Sequence, residues 1–188
     1  KANIRLEYLH PERVLALVEE GQADVGIVSY PRSTRAVSAI AWREERIVVA
    51  CAPNHPFADC IEISINDLEG QRVVGFDSDL VIRHELDRVI TSHGVTPKIV
   101  MEFDNIETIK RAVEIDAGVA LLPEPTVSRE VAAGTLRAVK VSDEKLVRPL
   151  GIVQARNKPL GPTARRFVDM LHEHADDAVA ECTVMASA

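Results

Sequence analysis

The chain has 188 residues and a mass of 20.6 kDa, of which 46% of residues are apolar, so it has room for one ordinary domain or two small lobes with a packed core, and a disordered default state is excluded. Aromatic residues make up only 4%, which argues against a surface that stacks bases or sugars, and 22 Lys and Arg against 29 Asp and Glu leave a net charge of −7, without an overall pull toward a phosphate backbone. No apolar run approaches the ~20 residues that span a bilayer, the start Lys1-Ala2-Asn3-Ile4-Arg5 lacks a signal-peptide stretch, and the 3 scattered cysteines make no disulfide framework, so the expectation is a cytoplasmic, acidic α/β protein that does not meet a membrane.

Ile4–Leu9 alternates apolar and polar residues and predicts a half-buried strand. His10-Pro11 opens a helix with an apolar stripe of Val14, Leu15, Leu17 and Val18, and Gly21 stops it. Residues 23–28 predict a buried strand, Tyr30-Pro31-Arg32-Ser33 a loop, and residues 46–52 another strand ended by Pro53-Asn54-His55-Pro56. A strand over 71–76 then meets Asp77-Ser78-Asp79, a cap for a helix carrying Ile82, Leu86, Val89 and Ile90, closed by Gly94. Residues 98–103 form the next strand; Asn105 caps a helix with Ile106, Ile109 and Val113, and Gly118 ends it. Residues 119–122 are a strand cut off by Pro123-Glu124-Pro125, and Thr126 caps a short helix that reaches Ala133 before Gly134. Strands over 136–141 and 150–155 follow, then a final helix after Pro162-Thr163 that packs Phe167 and Leu171, with an aperiodic tail from Ala175 that frays.

Strands alternating with helices of this length indicate mostly parallel sheets with helices on both faces. Residues 1–53 carry 7 basic and 7 acidic side chains and residues 147–188 carry 5 of each, whereas residues 54–146 carry 10 and 17. All of the net charge therefore lies in the middle, which fits one lobe made of both chain ends and a second made of the middle segment.

Three helix starts that follow strand ends, at Ser78, Asn105 and Thr126, are where ligands bind in open α/β sheets, although every α/β protein needs such caps. Asp77, Asp79 and Glu124 would repel an anion there, and Arg83, one turn into its helix, would offset them. Cys51 lies in a buried strand, so its spacing from Cys60 reads as packing rather than redox chemistry. His172 and His174 face apart on a helix and do not share a metal, and no Gly-x-Ser-x-Gly, phosphate loop or Cys-x-x-Cys occurs. The reading has no catalytic residue, no cofactor and no metal.

Several segments, in order, are similar to motifs of LysR-type transcriptional regulators. They are residues 17–28 (LVEEGQADVGIV), residues 46–58 (RIVVACAPNHPFA), residues 65–70 (INDLEG), residues 105–110 (NIETIK), residues 117–123 (AGVALLP) and residues 148–153 (RPLGIV). Each is degenerate alone; together they cover residues 4–174 and resemble the C-terminal effector-binding domain of that family. The resemblance implies a two-lobed α/β fold of the type 2 periplasmic-binding-protein kind, with lobes joined by two crossing strands near residues 47–52 and 150–155. Lobe one would hold residues 1–53 and 147–175, lobe two residues 54–146, and residues 176–188 a C-terminal tail.

The resemblance also implies a small-molecule co-inducer held between the lobes, in a protein that controls transcription and is not an enzyme. A transport-type solute-binding protein of the same fold is the alternative. The implied effector contacts are Ser29 and Tyr30 in lobe one, and Ser78, Arg83, Asn105, Thr108, Pro123 and Glu124 in lobe two. In the family DNA is bound by a helix-turn-helix domain, which the chain does not include, and a further strand and helix precede the segment at Ile4. His10-Pro11 occupies a place where the family often has a Ser or Thr effector contact. Family members pair antiparallel, so a homodimer or larger homo-oligomer is expected, through Ile4–Leu9, Lys98–Phe103 and the helix over 83–93.

Overall fold

A computed structural model describes the backbone of residues 4–185 and the side chains of residues 4–173. It divides into two compact units, residues 1–44 with 149–188 and residues 45–148. The charge distribution places the divisions near 53 and 147, whereas here they fall inside two long strands, β2 (Val37–Cys51) and β8 (Val147–Ala155), which carry the chain from one unit to the other.

In unit one, α1 (Pro11–Glu19) starts at a proline whose missing N–H costs nothing in a first turn, and Gly21 follows it at φ 70°. The helix packs on β1 (Gly26–Ser29), where a Cβ on Gly26 would lie 2.5 Å from Val14 Cγ1 and 2.9 Å from Val153 Cγ2, so the close approach requires glycine. β1 pairs antiparallel with β8, Gly26 opposite Val153 and Ser29 opposite Leu150. Val18, Val28, Val37 and Val153 form the core of this unit. α5 (Pro162–Met185) buries Val168, with Phe167 and Leu171 half-buried beside it, and its backbone is helical from Ala175 to Met185, where the sequence predicts a fraying tail.

Ile4–Leu9 is not a strand. No described strand pairs with it, and Ile4, Leu6 and Tyr8 are 61%, 70% and 89% exposed. Alternation supplies a face, but a strand also needs a partner for its N–H and C=O groups.

Unit two holds a mixed sheet around β2 and a two-stranded parallel sheet bridged to it, with helices packed on them. The second half of β2 runs at its centre, antiparallel both to β6 (Ala120–Pro123), with Val49 opposite Leu121, and to β7 (Arg137–Val141), with Val49 opposite Val139. β3 (Glu62–Ile63) lies parallel to β7. On the other side, β4 (Arg72–Phe76) is parallel to β5 (Lys98–Phe103) and is joined to the start of β6 by Val74 N donating to Val119 O and Val119 N to Arg72 O, both 2.8 Å. The sheet is thus mixed rather than mostly parallel, because β2 arrives from the other unit running against the β–α strands that it joins. An unbroken apolar run suits β2 to this central place: Ile47 to Ala52 are all at most 2% exposed.

Three helices follow β4, β5 and β6: α2 (Val81–Ser92), α3 (Ile106–Glu114) and α4 (Glu124–Ala133). Ile82, Leu86 and Ile90 of α2 and Ile109 and Val113 of α3 are buried, as their spacing predicts. Gly94 and Gly134 stand at positive φ after α2 and α4. Gly118 does not end α3; Asp116, at φ 59°, makes that turn instead.

Candidate functional site

Because β4, β5 and the start of β6 run parallel, Phe76, Phe103 and Pro123 end at the same edge of unit two, and each leads directly into a helix. Brought together there are the turns that hold Ser78, Asn105, Thr108, Pro123 and Glu124, joined at one point by Asp77 N donating to Phe103 O at 3.0 Å.

Local chemistry sets each turn differently. Asn105 caps α3 as predicted, its side-chain oxygen accepting from Glu107 N at 2.8 Å, and Thr108 stands exposed in the first turn. Ser78 is exposed and does not cap α2; the capping position is Leu80, and no side chain bonds to that end. Thr126 also is not a cap. Pro123 holds the capping position of α4, and Thr126 lies inside the helix with its hydroxyl donating to Pro123 O at 2.6 Å. In both, a residue in extended backbone, Leu80 for α2 and Pro123 for α4, begins the helix without a side-chain cap.

Arg83 is occupied. Its Nε donates to Asp87 Oδ2 at 2.8 Å, and its Nη1 donates to Phe76 O at 2.7 Å and to Glu102 Oε1. Burial pushes its pKa down, but its hydrogen bonds to the Glu102 and Asp87 carboxylates outweigh that and hold it above the ordinary value. The same balance governs Lys110 in α3, 5% exposed, which donates to Glu107 Oε1 at 2.8 Å, Glu130 Oε1 at 2.9 Å and Thr126 O at 3.0 Å. Burial lowers its pKa, Glu107 and Glu130 raise it by more, and Lys110 in turn holds the Glu130 carboxyl below the usual range. Lys110 ties α3 to the first turn of α4. With these cations neutralised, the open edge presents Asp77, Ser78, Asp79, Asp104, Thr108 and Glu124: hydroxyl and carboxylate groups suited to a hydroxylated small molecule.

In unit one, Ser29 ends β1 and Tyr30 N donates to Pro149 O at 2.8 Å. Tyr30 stands at φ 51°, a region that a bulky side chain enters only when its surroundings force it, and such residues cluster at functional sites.

Sequence reasoning misses the Glu45–Arg148 pair, on the two strands that link the units. Glu45 is 5% exposed and accepts from Arg148 Nε at 3.1 Å and from its Nη2. Among the described residues no three His, Cys, Asp or Glu side chains gather to hold a metal ion, and no helix is long and apolar enough to cross a membrane.

The fold is that of an α/β domain in two compact units. Residues 1–176 match the family model of the LysR substrate binding domain, and the chain belongs to that family. It is 29% identical over 157 residues to a "Probable RuBisCO transcriptional regulator" of Emiliania huxleyi, covering 80% of this chain and 50% of that protein. The chain spans about half the length of the curated relatives it matches. Among solved structures it resembles the Synechocystis PCC6803 CcmR regulatory domain in complex with 2-PG, at a TM-score of 0.76 and 21% identity, with 87% of this chain and 79% of that one covered. It also resembles the effector-binding domain of QuiR in complex with shikimate, at a TM-score of 0.77 and 18% identity, with 89% and 78% covered. These likenesses are of fold: the two-part α/β architecture of LysR effector-binding domains, which is like that of periplasmic binding proteins.

Proposed function

We propose that this chain is the sensing part of a transcriptional regulator, that it binds a small hydroxylated molecule without transforming it, and that units one and two are the two lobes of the effector domain. The observation that carries the reading is the family match over residues 1–176, on a chain whose parallel strand ends open onto uncapped or self-capped helix starts. The proposed contacts are Ser29 and Tyr30 in unit one, and Ser78, Asn105, Thr108, Pro123 and Glu124 in unit two. Hydroxyls of the effector would donate to Glu124, and its other oxygens would accept from Ser78, Thr108 and the Asn105 amide. The solved structures in complex with 2-PG and with shikimate support a small molecule as the effector class. Regulator relatives, rather than transport proteins, favour this reading over a solute-binding protein that delivers to a membrane permease.

The test has two arms. A panel of small hydroxy acids that includes shikimate and 2-PG is titrated against this chain by calorimetry; a saturable heat that Asn105→Ala and Ser78→Ala each weaken is expected, and turnover of the bound acid would overturn the claim that no chemistry occurs. In the gene, the codons before Lys1 are expected to encode a winged helix-turn-helix; an export signal there would make this a transport protein instead. This chain alone, at net −7, is expected to show no salt-sensitive retention of DNA in a low-salt titration, and sequence-specific retention of a promoter fragment would refute that.

A further inference from the structure

We propose that Arg83 is a positioning residue that fixes the Asp77–Leu80 turn on the ends of β4 and β5, and is not itself a contact of the effector. The inference rests on the reading that this turn faces the effector, and its main test does not depend on any ligand.

The geometry is that of a clamp with three jaws. One guanidinium reaches the last carbonyl of β4 (Phe76 O, 2.7 Å), a carboxylate of β5 (Glu102) and a carboxylate of its own helix α2 (Asp87, 2.8 Å). The Arg83 side chain is 15% exposed, while its carboxylate partners Glu102 and Asp87 keep 40% and 48% of their side-chain surface. A planar guanidinium moves as a single body, so the three acceptors are set relative to one another. At the start of the turn Asp77 N donates to Phe103 O at 3.0 Å; at its end Leu80 is buried, its N donates to Asp77 O at 3.2 Å and its O accepts from Arg83 N at 3.0 Å and His84 N at 3.3 Å, while Ser78 and Asp79 between them stand exposed. Without Arg83, α2 loses its side-chain tie to the carbonyl at which the turn begins.

Gly75 supplies the room. A Cβ there would lie 3.3 Å from Arg83 Nη1 and 3.7 Å from Ile99 Cγ2, so a side chain at this position asks the guanidinium to give by a few tenths of an ångström. An acid arriving from solvent would have to displace two carboxylates already bonded to Arg83, which a neutral donor such as Asn105 does not require.

Amide hydrogen exchange on this chain, read by NMR, tests the proposal. In Arg83→Met the Asp77 and Leu80 amides are expected to exchange faster by about tenfold, with Val49 and Val139 of the β2–β7 pair unchanged. Arg83→Lys is expected to give no rescue, because an ammonium cannot hold three acceptors in one plane. Gly75→Ala and Glu102→Gln leave the arginine in place and are expected to speed the same two amides by less, so the comparison survives if Arg83→Met does not fold. Unchanged exchange at Asp77 and Leu80, or an equal increase at Val49 and Val139, would overturn the proposal. So would a shikimate affinity lost in Arg83→Met while the turn keeps its protection, since that would make Arg83 a ligand contact. A wild-type chain that binds neither shikimate nor 2-PG would count against the proposed function and leave the exchange result to decide this one.

Discussion

Burial pushes the Cys51 thiol up to about 11, and nearby Arg137 only partly opposes it. At pH 8 roughly one molecule in a thousand would carry the thiolate, the form that reacts. Cys60 is exposed, so these two cysteines differ in access. Iodoacetamide at pH 8 is therefore expected to label Cys60 and leave Cys51 unlabelled in the folded chain, and mild peroxide is expected to leave the two unlinked. Peptide mass spectrometry reads both, and a Cys51–Cys60 crosslinked peptide would refute the inert reading. Glu45 and Arg148 make the opposite case of a charge kept inside. Breaking such a pair is costly, so Arg148→Met is expected to destabilise the chain by about 3–5 kcal/mol, while Glu45→Leu combined with Arg148→Met recovers most of it; urea unfolding of the two variants beside the wild-type chain measures this. That pair is invisible in the sequence, because Arg43-Glu44-Glu45-Arg46 reads as a solvated run and the partner lies 103 residues away. Arg83 stands out in the sequence, whereas its clamp does not. Its local partner Asp87 is four residues on, but Glu102 arrives only when β5 pairs with β4.

Elements are legible wherever their signals are local. The Asn105 cap, the stripe of α2 and the glycine stops of α1, α2 and α4 all depend on residues within a turn of one another. The start of β2 at Val37 is not, because its first half is only partly buried and shows no clean alternation. Gly118 combines both lessons: its identity suggests a helix stop, and its reason is tertiary. A Cβ there would lie 2.6 Å from Arg72 O and 2.9 Å from Arg72 C, both backbone atoms that cannot rotate aside. It is this approach that allows β6 to bond to β4 through Val119. Gly118→Ala is therefore expected to lower the stability of the chain by about 1–3 kcal/mol, read as a lower urea midpoint. Gly161→Ala, where a Cβ meets nothing within 4 Å, is the matched control and is expected to change the midpoint little. Equal midpoints for the two variants would remove Gly118 from the sheet's construction.

At the scale of the whole molecule the question is what covers β5. It lies at the end of its sheet with β4 as its one neighbour among the described residues, and such an edge offers a row of unpaired N–H and C=O groups. Proteins usually blunt an exposed edge with charge or proline, yet here Ile99, Val100 and Met101 are 37%, 42% and 42% exposed in succession. Beside them α2 leaves a groove lined by Asp87, Ile90, Thr91, Pro97 and Ile99. The family resemblance puts the pairing surface here and at Ile4–Leu9, and since the latter is not a strand, the argument for assembly stands on β5 and α2. A surface that carries both an apolar stripe and a groove can serve a two-fold pair, since each copy offers what the other receives. The chain is therefore expected to be a homodimer or larger at micromolar concentration, and sedimentation equilibrium across a dilution series checks it. A mass that stays near the single-chain 20.6 kDa would refute assembly altogether. Ile99→Asp is expected to shift the distribution toward that mass, because two copies would each bury a carboxylate without a partner. If the variant keeps the wild-type circular dichroism and its mass distribution does not move, the chain still associates but not through β5.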